Sequence, residues 1–368
     1  MSIVSYLLQQ QLPASIIIFT ILTMTASDAF STNVGTADGS STSTAPITAN
    51  NGYSCASGGG WSVHDVKTAE WLSVTQKERI MAVEGIMDPR PVKIKAELIK
   101  HTEATADVRT DVISDNVVDC GVKVISKIVH FQRHGQGYHN LLGSILRDAG
   151  MKLNHSSRDP KHNPWRRPEI VDSPLTEQGK MECYARKEQV STLNPQLVVV
   201  SPMLRAIQTA KISFAMHENI NIGSNNDDGS PNSIPWIAHE GCREELGFMV
   251  CNKRRPKSLI EQDYPTIDFS LLTEEHDALW DPHQRECPKA MSNRIYNFLV
   301  DFISQRSETE IAVICHSAML FNMCTVLLDC GDDEYLASWF KTSEVRSMKL
   351  TFIFNNENDG DSSSNSKL

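Results

Sequence analysis

No C-x-x-C pair occurs among the nine cysteines of this 368-residue chain, and the count is odd. That argues against a zinc ribbon, a thioredoxin-like site or a dense disulfide framework. Most of the cysteines are expected to be small core residues in a reducing compartment. In a secreted protein, Cys242 and Cys251 would be close enough in sequence to consider as a pair. Positive charge is also scarce: the formal net charge is -10. That balance argues against nonspecific nucleic-acid binding and against docking on anionic lipid. It leaves room for a small anionic substrate, because a few arginines in a cleft set the local field. Long apolar runs are missing too. The only strongly apolar stretch, Leu12 to Met24, is interrupted by polar residues, so no stable membrane insertion is expected once the start of the chain is processed.

The first 60 residues hold no Lys or Arg. Residues 1–29 combine the apolar stretch SIIIFTILTM with the small residues of TASDAF, in the manner of a signal peptide. Residues 30–60 are rich in Ser, Thr, Gly and Ala, a composition that buries no core and is expected to be disordered. The ASDAF junction, with Phe30 after the small residues, resembles the bipartite plastid presequences of diatoms and related algae. Plastid delivery is therefore expected, with secretion or an endomembrane lumen as the alternative. Residues 61–120 carry no motif and are read as an N-terminal extension of unknown role, and residues 357–368 as a disordered polar tail.

Between these lie residues 121–356, where strand-like and helix-like patterns alternate. VISKIVHFQ, NPQLVVVSP and EIAVICHS are β-branched apolar runs that fit buried strands. LTEQGKMECYARKEQVSTL reads as a helix with Thr176 at its N-cap, and MLRAIQTAKISFAMH as another, with Met203, Phe214 and Met216 in the core. Such alternation predicts an α/β fold in three α/β/α layers around a mostly parallel sheet. Ligands bind such sheets at the carboxyl ends of the strands. Arg133 and His134, Ser201 with Arg205, and His316 all fall just after predicted strands, so they are expected to converge on one edge.

Those residue types suit phosphoryl transfer. The reaction needs a nucleophile, positive groups for the equatorial oxygens and a proton source for the leaving group. A neutral imidazole is available as nucleophile near pH 7. Guanidinium groups keep their charge when buried and fork onto two oxygens. A glutamate in GCREELG, Glu244 or Glu245, is positioned in the sequence to supply the proton. His139 lies five residues after His134, but no carboxylate or cysteine cluster accompanies the pair, so no metal site is expected.

The set RHGQGYHN, LTEQG, SPMLRAIQTA, CREELG and CHS, in that order over about residues 124–320, resembles the histidine phosphatase superfamily, or phosphoglycerate mutase-like family. CNKRRPKS and YPTIDFSLL are similar to its plant and fungal members in particular. The resemblance implies a phosphoglycerate mutase-like fold, no cofactor, and a small phosphorylated substrate. It implies that His134 is the phosphorylated nucleophile, that Arg133 and Arg205 bind phosphate with His316 beside them, and that Asn140 supports the phosphate loop. Glu244 would donate and accept the proton, with Glu245 as the alternative. Arg254 would touch substrate, and Arg166 and Arg167 form either a lid over the substrate or plain surface. Hydrolysis through a phosphohistidine is the expected activity. A phosphoglycerate-type mutase, or a protein that binds phospho-ligands without turnover, are the alternatives.

Overall fold

A computed structural model describes residues 92–99, 122–218, 234–331 and 333–354. The expected presequence, the Ser/Thr/Gly-rich segment, most of the extension and the polar tail lie outside the described residues.

Seven strands form one sheet: β1 (Val92–Leu98), β2 (Lys123–Arg133), β3 (Leu197–Val200), β4 (Trp236–Ala238), β5 (Glu310–Cys315), β6 (Leu328–Asp329) and β7 (Val345–Phe354), in the order β4-β3-β5-β2-β7-β1-β6. The β4-β3, β3-β5, β5-β2 and β1-β6 pairs are parallel. Only β7 runs antiparallel, between β2 and β1. The mixed, mostly parallel sheet agrees with the expected class.

β1 comes from the stretch read as an extension without a motif. Its sequence VKIKAEL alternates strictly, burying Val92, Ile94 and Ala96 and exposing the two lysines between them. That period of two is what a strand covered on one face requires. The sheet therefore reaches back to residue 92, beyond the expected boundary at 121.

The helices around the sheet include α1 (Tyr138–Asp148), α2 (Glu177–Tyr184), α3 (Leu204–Ser213), α4 (Pro288–Asn297) and α5 (Ser317–Asn322). In the central strands, successive residues serve opposite faces. Leu197, Val199, Ile311 and Val313 pack with Met291 and Ile295 of α4 and Met319 of α5. Val198, Val200, Ala312 and Ile314 pack with Ala206, Ile207 and Ala210 of α3. Burial on both faces explains why these strands read as continuous apolar runs. Each such Val or Ile contributes about 1.5–3 kcal/mol on burial.

Some expectations need correction. Met203 and Phe214 are buried, but Met216 is 41% exposed, because α3 ends at Ser213 and the chain restarts in a separate short turn. The single helix expected after Leu175 is two, α2 and a short helix at Lys187–Ser191. Thr176 does cap α2, accepting from the Gly179 N–H at 2.9 Å. Cys242 and Cys251 are both buried free thiols, packed in different apolar clusters rather than paired.

One contact fixes the loop after β2. A Cβ on Gly179 would run into the Gln136 carbonyl oxygen, which also accepts from the Thr176 N–H at 2.9 Å. Only hydrogen at position 179 lets α2 press on the 134–137 loop. Gly179→Ala is expected to cost about 2 kcal/mol or more through overpacking, a fall in Tm of roughly 5 °C. A thermal melt beside wild type measures it, and an unchanged Tm would show that the loop simply yields.

Candidate active site

Four neighbouring parallel strands end on the same edge. β2 and β5 pair with Arg133 opposite Cys315, so His134 and His316 leave the sheet side by side. The His134 N–H donates to the Cys315 carbonyl at 3.0 Å. β3 ends at Val200 beside Ile314, which places Ser201 next to His316. β4 ends at Ala238 beside Val200 and leads into the Glu240–Glu245 segment.

The centre is His134. Its ring is 1% exposed and lies 5.1 Å, edge-on, from the ring of His316 and 5.4 Å from that of His139. Nδ1–H donates to the Gly135 carbonyl oxygen at 2.7 Å. With that proton held, Nε2 carries the lone pair. Burial holds the His134 pKa well below the usual histidine value, and the Arg205 and Arg133 guanidinium groups lower it further. The imidazole is therefore neutral at physiological pH. His316 is lowered in the same way, by burial first and then by Arg205 and His134.

Arg205, in the first turn of α3, is fully buried. Its Nη1 donates to the Cys251 carbonyl at 2.8 Å and its Nη2 to Asn252 Oδ1 at 2.9 Å. Arg133 donates from Nη1 to the Phe340 carbonyl at 2.7 Å. Both are thus steered by neutral acceptors, which leaves their charge uncompensated by direct pairing. Arg133 Nε, Arg205 Nε and His316 Nδ1 are buried without a hydrogen-bond partner. Ser201 Oγ and His316 Nε2 share a hydrogen bond at 2.7 Å; when the hydroxyl donates it, the hydrogen of His316 is on Nδ1. A buried donor without a partner costs about 1–3 kcal/mol, more when charged. Three of them around one neutral imidazole suit an oxyanion that accepts from all of them.

Glu244 is 7% exposed, and its carboxylate accepts from the Ala318 and Met319 N–H groups at the start of α5, at 3.1–3.2 Å, and from Ser317 Oγ at 3.2 Å. It therefore sits one turn past His316, and its charge acts on both Arg133 and Arg205. Glu245 faces Arg285 instead, at 3.5 Å. Asn140 lies in the first turn of α1, where Oδ1 accepts from the Gly137 N–H at 3.0 Å and closes the loop that carries His134.

Arg254, expected to touch substrate, is bonded within the fold. All its side-chain nitrogens are committed: Nε to Glu240, Nη1 to the Arg255 and Glu275 carbonyls, Nη2 to those of Glu274 and His276. It is 3% exposed and clamps the 274–277 turn. His139 is buried beside His134, with Nδ1 3.1 Å from Ser173 Oγ. Among the described residues no group of three His, Cys, Asp or Glu is placed to hold a metal ion.

Several supporting residues went unseen in the sequence. Thr209 accepts from the Gly135 N–H at 3.0 Å and donates to the Arg205 carbonyl at 2.8 Å, tying the loop to α3. Asn252 holds Arg205 and donates to the Glu245 carbonyl at 2.9 Å. Arg243 is gripped by Asp277 and Glu240 while donating to the Asn252 carbonyl at 2.7 Å. Thr209 had a signal, since it lies one helical turn after Arg205. Asn252 was overshadowed by the basic run that follows it.

Residues 164–351 match the histidine phosphatase superfamily (branch 1). The chain belongs to that superfamily. The matched span begins after the Arg133-His134-Gly135 tripeptide, which β2 nonetheless delivers to the same edge as His316. A phosphoglycerate mutase-like protein of Arabidopsis thaliana is 32% identical over 244 residues, covering 61% of this chain and 84% of the relative. Phosphoglycerate mutase-like protein 1 of the same plant is 30% identical over 244 residues, covering 61% and 81%. A probable phosphoglycerate mutase of Saccharomyces cerevisiae is 29% identical over 219 residues, covering 53% and 70%.

The lowered histidine pKa values have a consequence for stability. In the unfolded chain these imidazoles protonate near pH 6.5, whereas in the folded protein they resist protonation. Their neutral burial therefore contributes fully above about pH 6.5, and the contribution is lost as pH falls below it. Each group supplies up to about 1.4 kcal/mol per pH unit in that window. Urea unfolding at pH 7 and pH 5 is expected to show a larger loss for wild type than for His134→Gln. Equal losses would mean that His134 protonates freely in the folded state.

Proposed function

We propose that this protein is a metal-independent phosphomonoesterase that works through a phosphohistidine. The observation that carries the reading is the neutral, buried His134, with Nδ1–H fixed on the Gly135 carbonyl, unpaired N–H donors on Arg133 and Arg205, and the unpaired Nδ1 of His316 beside it. In the first step Nε2 attacks phosphorus, a P–N bond forms, and the P–O bond to the leaving group breaks. Glu244, ionised in the resting site, takes a proton from the arriving phosphate monoanion and passes it to the leaving oxygen. Arg133, Arg205 and His316 hold the equatorial oxygens as their charge shifts. In the second step ionised Glu244 takes a proton from water, whose oxygen attacks phosphorus. The P–N bond breaks, its electrons return to Nε2, and phosphate leaves.

Return of the phosphoryl group to a phosphoglycerate is the second reading. The names of the plant and fungal relatives favour it. Against it stands CREELGFMVCNKRRP, which is not a close match to the segment around the acid glutamate of the cofactor-dependent mutases.

His134→Ala is expected to fold and to lose at least about 10³-fold in kcat, since no other group replaces a covalent nucleophile. Free phosphate release and phosphoglycerate isomerisation are measured side by side. Full phosphate release by the variant would end the mechanism, and isomerisation without release would make the mutase reading correct.

Glu244→Gln is expected to lower kcat about 10²-fold or more on alkyl phosphates. The loss should be smaller on p-nitrophenyl phosphate, whose leaving group needs no proton. Equal losses on both would remove Glu244 as the acid of the first step, and Glu245→Gln would then be the variant to compare.

A further inference from the structure

A second group of arginines stands apart from the phosphate cradle. Arg166 stacks over the Phe248 ring with its guanidinium carbon 4.0 Å from the centroid, and Arg285 lies 5.3 Å from the same centroid. Arg166 donates to the Phe248 and Pro282 carbonyls at 3.3 Å, and Arg158 donates to the His283 carbonyl at 3.3 Å. Arg285 Nη2 donates to the His155 carbonyl at 2.6 Å, and its Nε faces Glu245 at 3.5 Å. Among the described residues, the carboxylate that faces this group is Glu245, through Arg285. Asp281, the next acid along the turn, spends Oδ1 on the His283 and Gln284 N–H groups. Arg166 registers the excess: burial lowers its pKa first, then repulsion from Arg158 and Arg285, with no acid acting against them.

The backbone is unusual at the same place. Gly247 and Phe248 both have left-handed φ, +72° and +57°. For a bulky aromatic residue that conformation is costly and is held only by its surroundings. Here it turns the Phe248 ring beneath the arginines. The same segment is bound to the catalytic edge. Glu245 follows Glu244, and Cys251, three residues after Phe248, gives its carbonyl to Arg205. Three Cα steps span at most about 11 Å. From the other side, Trp165 in the Phe248 cluster donates from its indole N–H at 3.0 Å to the carbonyl of His139, the residue whose ring flanks His134.

We propose that Arg166 and Arg285, stacked on Phe248, and Arg158 beside Arg166 form a subsite for a second phosphate group on the substrate, so that the preferred substrate is a bisphosphate. This rests on the phosphoryl-transfer reading of the His134 site. A phosphate is favoured over a carboxylate by charge: three guanidinium groups less Glu245 leave a surplus that a dianion neutralises and a monoanion does not. Each Arg166 Nη makes one long carbonyl contact, at 3.3 Å, and has a second N–H for an anion.

The test compares a sugar bisphosphate with the matching sugar monophosphate and with a matching phosphorylated sugar acid. Kinetics are measured for wild type, Arg166→Gln and Arg158→Gln. Binding of the same three compounds is measured by calorimetry on His134→Ala and on His134→Ala with Arg166→Gln. Wild type is expected to favour the bisphosphate over the monophosphate at least tenfold in kcat/KM, mainly through KM, and each arginine variant to shrink that ratio towards one. Arg158 is exposed, so its variant keeps the test alive if Arg166→Gln does not fold. Phosphate release with a ratio near one in wild type overturns the subsite and leaves the phosphatase reading intact. A bisphosphate preference in binding that Arg166→Gln removes, without release of phosphate from any compound, supports the subsite and overturns the phosphatase reading. Preference for the sugar acid over the bisphosphate overturns the assignment to a phosphate.

Discussion

His134 is kept neutral by being buried against two guanidinium groups, and the surrounding structure is arranged to hold those charges where water is excluded. A protonated imidazole has no lone pair to offer phosphorus, so the nucleophile needs the lowered pKa that burial, Arg205 and Arg133 enforce. The same two arginines are what an incoming phosphate requires. One electrostatic arrangement thus prepares the nucleophile and the anion site together. It is stable only because neutral acceptors, the Cys251 and Phe340 carbonyls and the Asn252 amide, anchor the guanidinium groups without cancelling their charge.

The sheet supplies the geometry. β4, β3, β5 and β2 are parallel neighbours, so their carboxyl ends release Glu244, Ser201 with Arg205, His316 and Arg133 with His134 along one edge. An antiparallel order would send alternate groups to opposite ends. The antiparallel strand β7 is placed outside this set, between β2 and β1. It closes the sheet without displacing a functional strand end, and the turn before it returns Ser343 N–H to the His134 carbonyl at 3.2 Å.

Much of this was legible because each strand carries its chemistry immediately after it. A buried β-branched run followed by Arg133-His134, or by His316, states both the element and the edge. What stayed hidden was held by contacts distant in sequence. Nothing near Asn252 announces that it binds Arg205, 47 residues earlier. Arg254 is the opposite case: a basic run beside the acid segment reads as a surface for anions, whereas five backbone and side-chain oxygens, from Glu240 to His276, take its N–H groups. The alternation of β1 is plain in the sequence, but only pairing with β7, about 250 residues later, gives it meaning.

The arginines of this chain divide by the kind of partner they keep. Arg243, Arg294 and Arg346 hold carboxylates, of Asp277, Glu286 and Glu344, at 2.6–2.8 Å. Their charges are neutralised within the fold, and replacing either partner would leave a buried charge unmatched. Arg133, Arg205, Arg158 and Arg166 are bound by carbonyl or amide oxygens, which fix direction and leave charge. A fold that buries arginines for stability has no reason to deny them acids. Among the described residues Arg133 and Arg205 near His134, and Arg158 and Arg166 near the Phe248 turn, have no direct carboxylate partner, which suits anionic groups received at two places. By this criterion Arg285, which faces Glu245 at 3.5 Å while stacking towards Phe248, stands at the seam between the two. Its carboxylate partner is the neighbour of Glu244, so a charge bound over Phe248 would be felt along the same short segment that carries the proton donor.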